Sequence, residues 1–375
     1  MSEARINRIS NELGTGGPIV SGITTFSGLN YFVPPKGTTA ERPSNAPPGS
    51  LRFNTDSAHI EYYDGIQWLE FEAFNDELGV SGALGNRGLF DGGVVESPIG
   101  FVNTVDYITI STLGNALDFG DLSSARRGVC ALSSSTRGLF AGGYRDGGGY
   151  QNIIDFLTFS STGNAADFGD LSQGKYAANA CSSSTRGVIG GAENGVPGGT
   201  NSIDYVTIAS TGNAVDFGDM YSGSARGYAS CASTTRGLFA GGDLIGPQTN
   251  IIQYITISTT GNSIDFGDLI ESGNSTRGCS NSTRGLFYQS TNTISFVTIA
   301  STGNAQDFGD SISGRGSSSS TASSTRGLFG GGGNPTSSNI IDYVTILSTG
   351  NSIDFGDLTQ ARSQLGACSN GHGGL

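Results

Sequence analysis

Two histidines, one tryptophan and two methionines in 375 residues leave little material for acid–base or metal chemistry. His59 and His372 have no nucleophile or ligand partner at a recognised spacing, so no catalytic, cofactor or metal site is expected. Cations are scarce too: 19 Lys and Arg face 32 Asp and Glu, a net charge of −13. That balance speaks against nucleic acid, whose phosphates need clustered Lys and Arg, and against anionic membranes. No run of 18 apolar residues occurs, and the start, Met1-Ser-Glu-Ala-Arg-Ile-Asn-Arg8, lacks an apolar stretch, so neither a membrane span nor a signal peptide is expected. The five cysteines are an odd number; Cys181, Cys231 and Cys279 each lie five residues before an arginine, and Cys130 and Cys368 fall near the same place. Positions a whole repeat apart are too distant for a disulfide, so buried, reduced thiols are expected.

What is abundant is glycine, 61 residues, in phase with β-branched and aromatic runs. Asp-Phe-Gly-Asp returns six times, beginning at Asp118, Asp167, Asp216, Asp265, Asp307 and Asp354, each with Gly-Asn just upstream. Arg-Gly alternates with it at Arg87, Arg137, Arg186, Arg236, Arg284 and Arg326. From Asp to the next Arg the spacing is 19, 19, 20, 19 and 19 residues, whereas from Arg to Asp it is 31, 30, 30, 29, 23 and 28. One half of the unit is framework and the other contains a variable loop, where binding residues tend to lie.

Each unit reads as four short antiparallel strands. In Tyr228 to Leu269 these are a small-residue strand, Leu238-Phe-Ala-Gly-Gly242 after an Arg-Gly turn, Ile251 to Ile257, and Ser263 to Leu269 after Thr-Gly-Asn. This order, with Gly-Gly closing the second strand and aromatics in the third and fourth, resembles the kelch repeat. Phe119, Phe168, Phe217, Phe266, Phe308 and Phe355 stand where kelch usually has Trp, and the fifth unit has Tyr288-Gln289 in place of the diglycine. The expectation is an all-β, kelch-like β-propeller over residues 75–375 with six four-stranded blades. The remnant from Ala361 to Leu375 matches the start of another unit. It would either pair with the first blade, whose own first strand is expected over Leu78 to Leu84, or join the hairpin of residues 51–71 as a seventh.

Residues 1–48 are expected to form an extended attachment arm, stiff at its end because five of the ten prolines fall between Pro34 and Pro48. Residues 49–74 read as a small β-meander, from Leu51/Phe53 and Ile60/Tyr62 to Asp64-Gly65 and Trp68. Pro35-Lys-Gly37-Thr-Thr-Ala-Glu-Arg42-Pro43, with Gly49-Ser-Leu-Arg52-Phe-Asn54-Thr-Asp56, Glu61-Tyr-Tyr-Asp64-Gly65 and Trp68, resembles the attachment regions of tailed-bacteriophage fibre and other virion structural proteins. The resemblance implies a virion component, made in the host cytoplasm and commonly trimeric, whose residues 1–74 bind other virion proteins.

The repeated residues have structural expectations. Arg137, Arg186 and Arg236 would make inter-blade ion pairs or forks onto carbonyls; Phe168, Phe217 and Phe266 would fill the space between blades; Asp167, Asp216 and Asp265 would accept backbone hydrogen bonds in the turn. Asp-Phe-Gly without a kinase Lys strand or His-Arg-Asp loop is not read as a kinase metal site, and calcium on these aspartates lacks further oxygen side chains. Candidate surface-recognition residues lie in the variable loops: Glu96, Tyr144, Arg145, Asp146, Tyr150, Glu193, Asn194, Asp243, Gln248 and Asn334. The favoured function is a non-enzymatic virion structural protein that displays the propeller to a host-surface glycan or protein, as tail fibre, head or neck fibre, or decoration. Alternatives are a carbohydrate-binding lectin-type propeller and a glycan-cleaving enzyme.

Overall fold

The computed structural model describes residues 34–57, 59–70, 87–221, 226–243, 247–273, 277–289, 291–333 and 335–375. The chain divides into two units, Met1–Asn75 and Asp76–Leu375. Among the described residues no helix is long and apolar enough to cross a membrane.

In the larger unit the repeats fold as four-stranded antiparallel sheets. Sheet 2 runs Cys130–Ser133, Arg137–Ala141, Ile153–Thr158 and Ala166–Asp170, each strand bonded to the next. Sheets 3 to 6 repeat that order within residues 179–219, 229–268, 277–310 and 319–357. Sheet 1 is assembled from both ends of the unit: Arg87–Asp91, Thr104–Thr109 and Leu117–Asp121 follow a first strand, Gly366–Ser369, supplied by the tail, with Gly366 opposite Asp91 and Ser369 opposite Gly88. The tail thus takes the place expected for Leu78 to Leu84, which lie outside the described residues, and does not join the hairpin of residues 51–71. This is a propeller-like all-β arrangement.

Local sequence explains each strand. The second strands are buried along their length, Leu139 and Phe140 completely, because neighbouring sheets cover both faces, so Arg-Gly-Leu-Phe-Ala carries an apolar run and no alternation. First strands are mostly Ala, Ser, Cys and Gly because they meet one another: 366–369 touches 130–133, which touches 179–182, and so on through 229–232, 277–280 and 319–322 back to 366–369. Their serines stitch them together. Ser133 Oγ donates to the Ser369 carbonyl at 2.6 Å, Ser182 Oγ to that of Ser133 at 2.8 Å and Ser280 Oγ to that of Ala232 at 2.7 Å. Between sheets lie apolar layers in which Phe119 of sheet 1 meets Phe140 and Leu157 of sheet 2, and Phe355 of sheet 6 meets Phe90 and Ile108 of sheet 1.

The smaller unit is a four-stranded sheet, Lys36–Gly37, Leu51–Asn54, His59–Tyr63 and Trp68–Glu70, the first pair parallel. The proline-rich stretch therefore does not continue as an extended arm: it packs on the meander through a 3-10 turn at Thr39–Glu41. A buried acid draws it in. Glu61, fully enclosed, receives Arg42 at 2.6 Å and Arg52 at 3.2 Å, while Arg52 also reaches the Thr38 carbonyl at 2.9 Å and the Thr39 amide donates to Asp56 at 2.8 Å. The Gly-Thr-Thr-Ala-x-Arg and Leu-Arg-Phe-Asn-Thr-Asp motifs are thus two halves of one charge-assisted network. The expected arm residues 1–33 lie outside the described residues.

Candidate functional site

The repeated residues form clasps between sheets. In Asp118-Phe-Gly-Asp121, Gly120 has φ +147°, and a Cβ there would lie 2.3 Å from the Gly163 carbonyl of the next sheet's Thr-Gly-Asn turn. The close approach lets the Gly163 amide donate to Phe119 at 2.8 Å, and Asn164 Oδ1 accept the Asp121 amide at 3.1 Å. The same bonds recur at Asn213, Asn262, Asn304, Asn351 and, from sheet 1 to sheet 6, Asn115. The side-chain acceptor is asparagine. Asp167, Asp216 and Asp265 were expected to fill that role, but they stand exposed beside it, because the strand directs Phe168, Phe217 and Phe266 into the inter-sheet layer and the preceding residue outward.

The rim arginines take the carbonyl option. Arg137 Nη1 donates to Ala209 at 2.9 Å, Arg186 to Ile257 at 3.0 Å, Arg236 to Ala300 at 2.8 Å, and Arg326 of sheet 6 to Ile110 of sheet 1 at 2.9 Å. Each also lies over the third-strand aromatic of its own sheet, at 5.0 Å for Arg137 on Phe156 and 4.5 Å for Arg186 on Tyr205. Among the described residues no carboxylate pairs with them. The glycine after each arginine makes room for the preceding sheet: a Cβ on Gly237 would sit 2.4 Å from Cys181 Sγ, and one on Gly285 2.6 Å from Cys231 Sγ. All five cysteines are free and buried, and burial pushes the Cys181 and Cys279 thiols up to about 12.

Buried charge pairs escaped the sequence reading. Arg126 meets Asp155 at 2.7 Å, Lys175 meets Asp204 at 3.3 Å and Arg362 meets Asp106 at 2.9 Å; Arg315 pairs with Asp342 in the same way. The cation, from the linker entering the sheet, also caps carbonyls near the diglycine, as Arg126 does for Gly142 at 3.0 Å. Sheets 4 and 5 carry Gln253 and Ser295 at the aspartate position, and by sequence their linkers have no cation over residues 221–225 and 269–276. That joint change was the available signal. Asp91 was missed as well: it is fully buried between Arg126 and Arg362, both its oxygens lack hydrogen-bond partners, and burial pushes its carboxyl up to about 7.

The loop residues converge in part. A cup of about 310 Å³ opens where the first strands begin, framed by the linkers and the loops after the second strands. Tyr176 lines it, and beside it Tyr144 and Tyr150 meet Tyr176 and each other edge to face, with centroids 5.4 to 6.4 Å apart. Tyr150 donates to Glu193 at 2.8 Å; Glu193 pairs with Arg226, which lies 3.7 Å from Asp243. Burial works against the Arg226 charge, but Glu193 and Asp243 outweigh it and raise its pKa. Asn194 is drawn aside to Gln173 at 2.9 Å. Gln248 is exposed and bridges to Asp243, Arg145 and Asp146 are exposed, and Glu96 lies elsewhere, accepting from Ser337 at 3.0 Å. Asn334 lies outside the described residues.

Three cup residues were not foreseen: Tyr176, whose hydroxyl donates to Gln364 at 2.8 Å, Arg226 and Arg277. Burial pulls the Arg277 guanidinium down to about 10, with Tyr176 and Tyr288 acting against it. At the opposite end of the first strands the tail fills the axis: His372 Nε2 lies 3.1 Å from the Ser133 carbonyl and 3.2 Å from Ser182 Oγ, and the Gly373 amide donates to Ser280 at 2.9 Å. Burial holds His372 at about 4, so it is neutral at pH 7. His59 lies 3.4 Å from Glu70 in the smaller unit. Among the described residues no three His, Cys, Asp or Glu side chains gather to hold a metal.

No protein-family model matches the chain, and no curated protein matches it in sequence.

Proposed function

We propose that the six sheets are the blades of a closed, kelch-like β-propeller, and that the chain is a structural protein of a phage particle whose propeller is displayed for recognition of the host surface. The ring reading is supported by three independent series of inter-sheet bonds, those of the asparagines, the rim arginines and the first-strand serines, each of which joins sheet 6 to sheet 1, the serines through the tail-derived first strand. In this arrangement the tail-derived first strand joins the two ends of the ring, giving six blades and no seventh. The residues of the smaller unit that resemble virion attachment segments form one ion-paired network, which suits a preformed docking element.

The observation that carries the recognition reading is the difference between the two ends of the first strands. One end is filled by the chain's own tail. The other is an open cup whose wall carries Tyr176, Arg226 and Arg277 from the linkers and a first strand, and Asp243 from a length-varying loop. Residues 1–74 would bind other virion proteins, in a homotrimer, and the propeller would meet a host glycan or protein; nucleic acid, membrane insertion and catalysis have no part in this reading.

Particles assembled with a chain lacking residues 1–71 test it. The truncated chain is expected to be absent from purified particles, while the full chain, added free, slows adsorption of normal particles to host cells. Incorporation of the truncated chain would refute the attachment role, and adsorption unaffected by excess free protein would refute the recognition role.

A further inference from the structure

An acidic chain has placed two arginines in the wall of the cup, Arg226 and Arg277, and a third, Arg127, against the Tyr176 ring. Arg127, Arg226 and Arg277 all act on the Tyr176 phenol, in a protein with a net charge of −13. Asp243, which lines the cup, and Glu193 beside it are both engaged by Arg226. Arg127 is held by aromatic faces, with its guanidinium 5.0 Å from the Phe101 centroid, 5.5 Å from Tyr144 and 5.6 Å from Tyr176, and its buried Nε has no hydrogen-bond partner. Arg277 lines the cup, half-buried, with its Nε donating to the Ser318 carbonyl. Guanidinium groups on aromatic faces are oriented forks, suited to carboxylate. The Debye length is about 8 Å at physiological salt, so these nearby arginines, and not the distant acids, set the field that a ligand meets.

The rest of the wall is suited to hydroxyl groups. Asn179, Gln364, Ser230 and Ser319 offer amides and hydroxyls, and Arg226 beside Asp243 places donors next to an acceptor, the pattern that adjacent hydroxyls of a ring require. A volume of about 310 Å³ is at the small end of ligand sites, which run from roughly 300 to 1,000 Å³, and fits one sugar residue better than a chain. We infer that the cup takes the acidic terminal residue of a saccharide, with its carboxylate toward Arg277 and its hydroxyls toward Arg226, Asp243 and the amides. The inference rests on the reading of this face as the recognition face and names the chemistry it reads.

Calorimetric titration of the full chain at physiological salt, with D-glucuronate, D-glucose and inorganic phosphate as probes, tests the inference. Glucuronate is expected to bind at one site, at least ten-fold more tightly than either glucose or phosphate. Equal binding of glucose would overturn the acid requirement, equal binding of phosphate would overturn the sugar requirement, and no glucuronate binding would overturn the whole inference. Arg226→Gln, on the cup wall and half-exposed, is expected to weaken glucuronate at least ten-fold with an unchanged melting curve; unchanged affinity would also overturn the inference. The outcome separates from that of the wider reading: a chain that ignores glucuronate yet still slows particle adsorption sinks the acid-sugar site and leaves host recognition standing.

Discussion

Sheets 2 and 5 share a strand pattern but not an interior. Sheet 2 holds the Arg126–Asp155 pair at 2.7 Å and the Gly142-Gly143 turn, whose second amide donates to Lys175 at 2.7 Å. Sheet 5 has Ser295 in place of the aspartate and Tyr288-Gln289 in place of the diglycine; Gln289 Nε2 reaches the Glu271 carbonyl at 2.7 Å, and the Tyr288 hydroxyl reaches that of Ser313 at 2.8 Å. What the two sheets keep in common is their attachment to neighbours: the arginine fork, the Gly-Asn clasp and the glycine that admits a side chain from the preceding sheet. Chemistry within a sheet is exchangeable as a set, whereas contacts between sheets are held fixed because each must match a copy of itself.

The comparison breaks if half of an exchangeable set can be removed harmlessly. Asp155→Ala takes from the buried Arg126 its ion-pair partner at 2.7 Å, and breaking a buried pair by removing one member costs about 3–5 kcal/mol. Replacing both members, Arg126→Met with Asp155→Leu, is expected to cost far less, since sheets 4 and 5 already do without the pair. Denaturant melts of the single and double variants measure this. A double variant as unstable as the single would show that sheet 2 depends on its charges in a way that sheet 5 does not.

Asp91 sharpens the comparison, because it adds a third charge between two such pairs. Around it lie the Arg126 and Arg362 guanidiniums, the Asp155 carboxylate and the Cys130 and Cys368 thiols. Its carboxyl is raised from 3.8 to about 7, mainly by burial. Between those values the folded state keeps a proton that the unfolded chain has released, so this residue's contribution to stability is complete below pH 4 and is lost as pH rises through 7. The loss is at most about 4 kcal/mol, at 1.36 kcal/mol per unit. Asp91→Asn is therefore expected to melt above the parent at pH 8 and near it at pH 4. A constant gap across that range would mean that the two arginines keep Asp91 ionised throughout.

The fixed contacts were the legible ones, and legibility stopped where a partner had to be chosen. Six copies of Arg-Gly and Asp-Phe-Gly-Asp announce an interface of each unit with the next, and the aromatic in each copy is buried there. Yet a repeated arginine near a repeated aspartate fits an ion pair as well as a carbonyl fork. Only strand direction decides that Asp167 points outward while Asn213 reaches the backbone. The buried pairs could have been read from sheets that lose cation and aspartate together, but each member alone resembles an ordinary surface charge. The cup was half visible: Tyr144, Tyr150, Glu193 and Asp243 stood out as loop residues, whereas Tyr176, Arg226 and Arg277 sit in linkers and a first strand that look like framework. Gln364 comes from the far end of the chain, and only the arrangement of the sheets brings it to Tyr176.

The smallest expected effect tests whether the fixed contacts are equivalent in charged and neutral surroundings. Gly237→Ala in sheet 4 sets a methyl 2.4 Å from Cys181 Sγ of sheet 3, and Gly285→Ala in sheet 5 sets one 2.6 Å from Cys231 Sγ of sheet 4. Overpacking of this kind costs about 1–3 kcal/mol, and nothing at either glycine involves a positive φ that would add backbone strain. The sulfur is the only atom within 3 Å at both sites, so Cys181→Ala and Cys231→Ala should each restore most of the loss caused by their own glycine partner and none of the other's. Thermal melts of the four single and four paired variants measure this. Rescue across the wrong pair would mean that the sheets relax together and that the contacts are not local; failure of both matched rescues would place the clash on the backbone, and the argument that glycine serves to admit the neighbouring sulfur would fall.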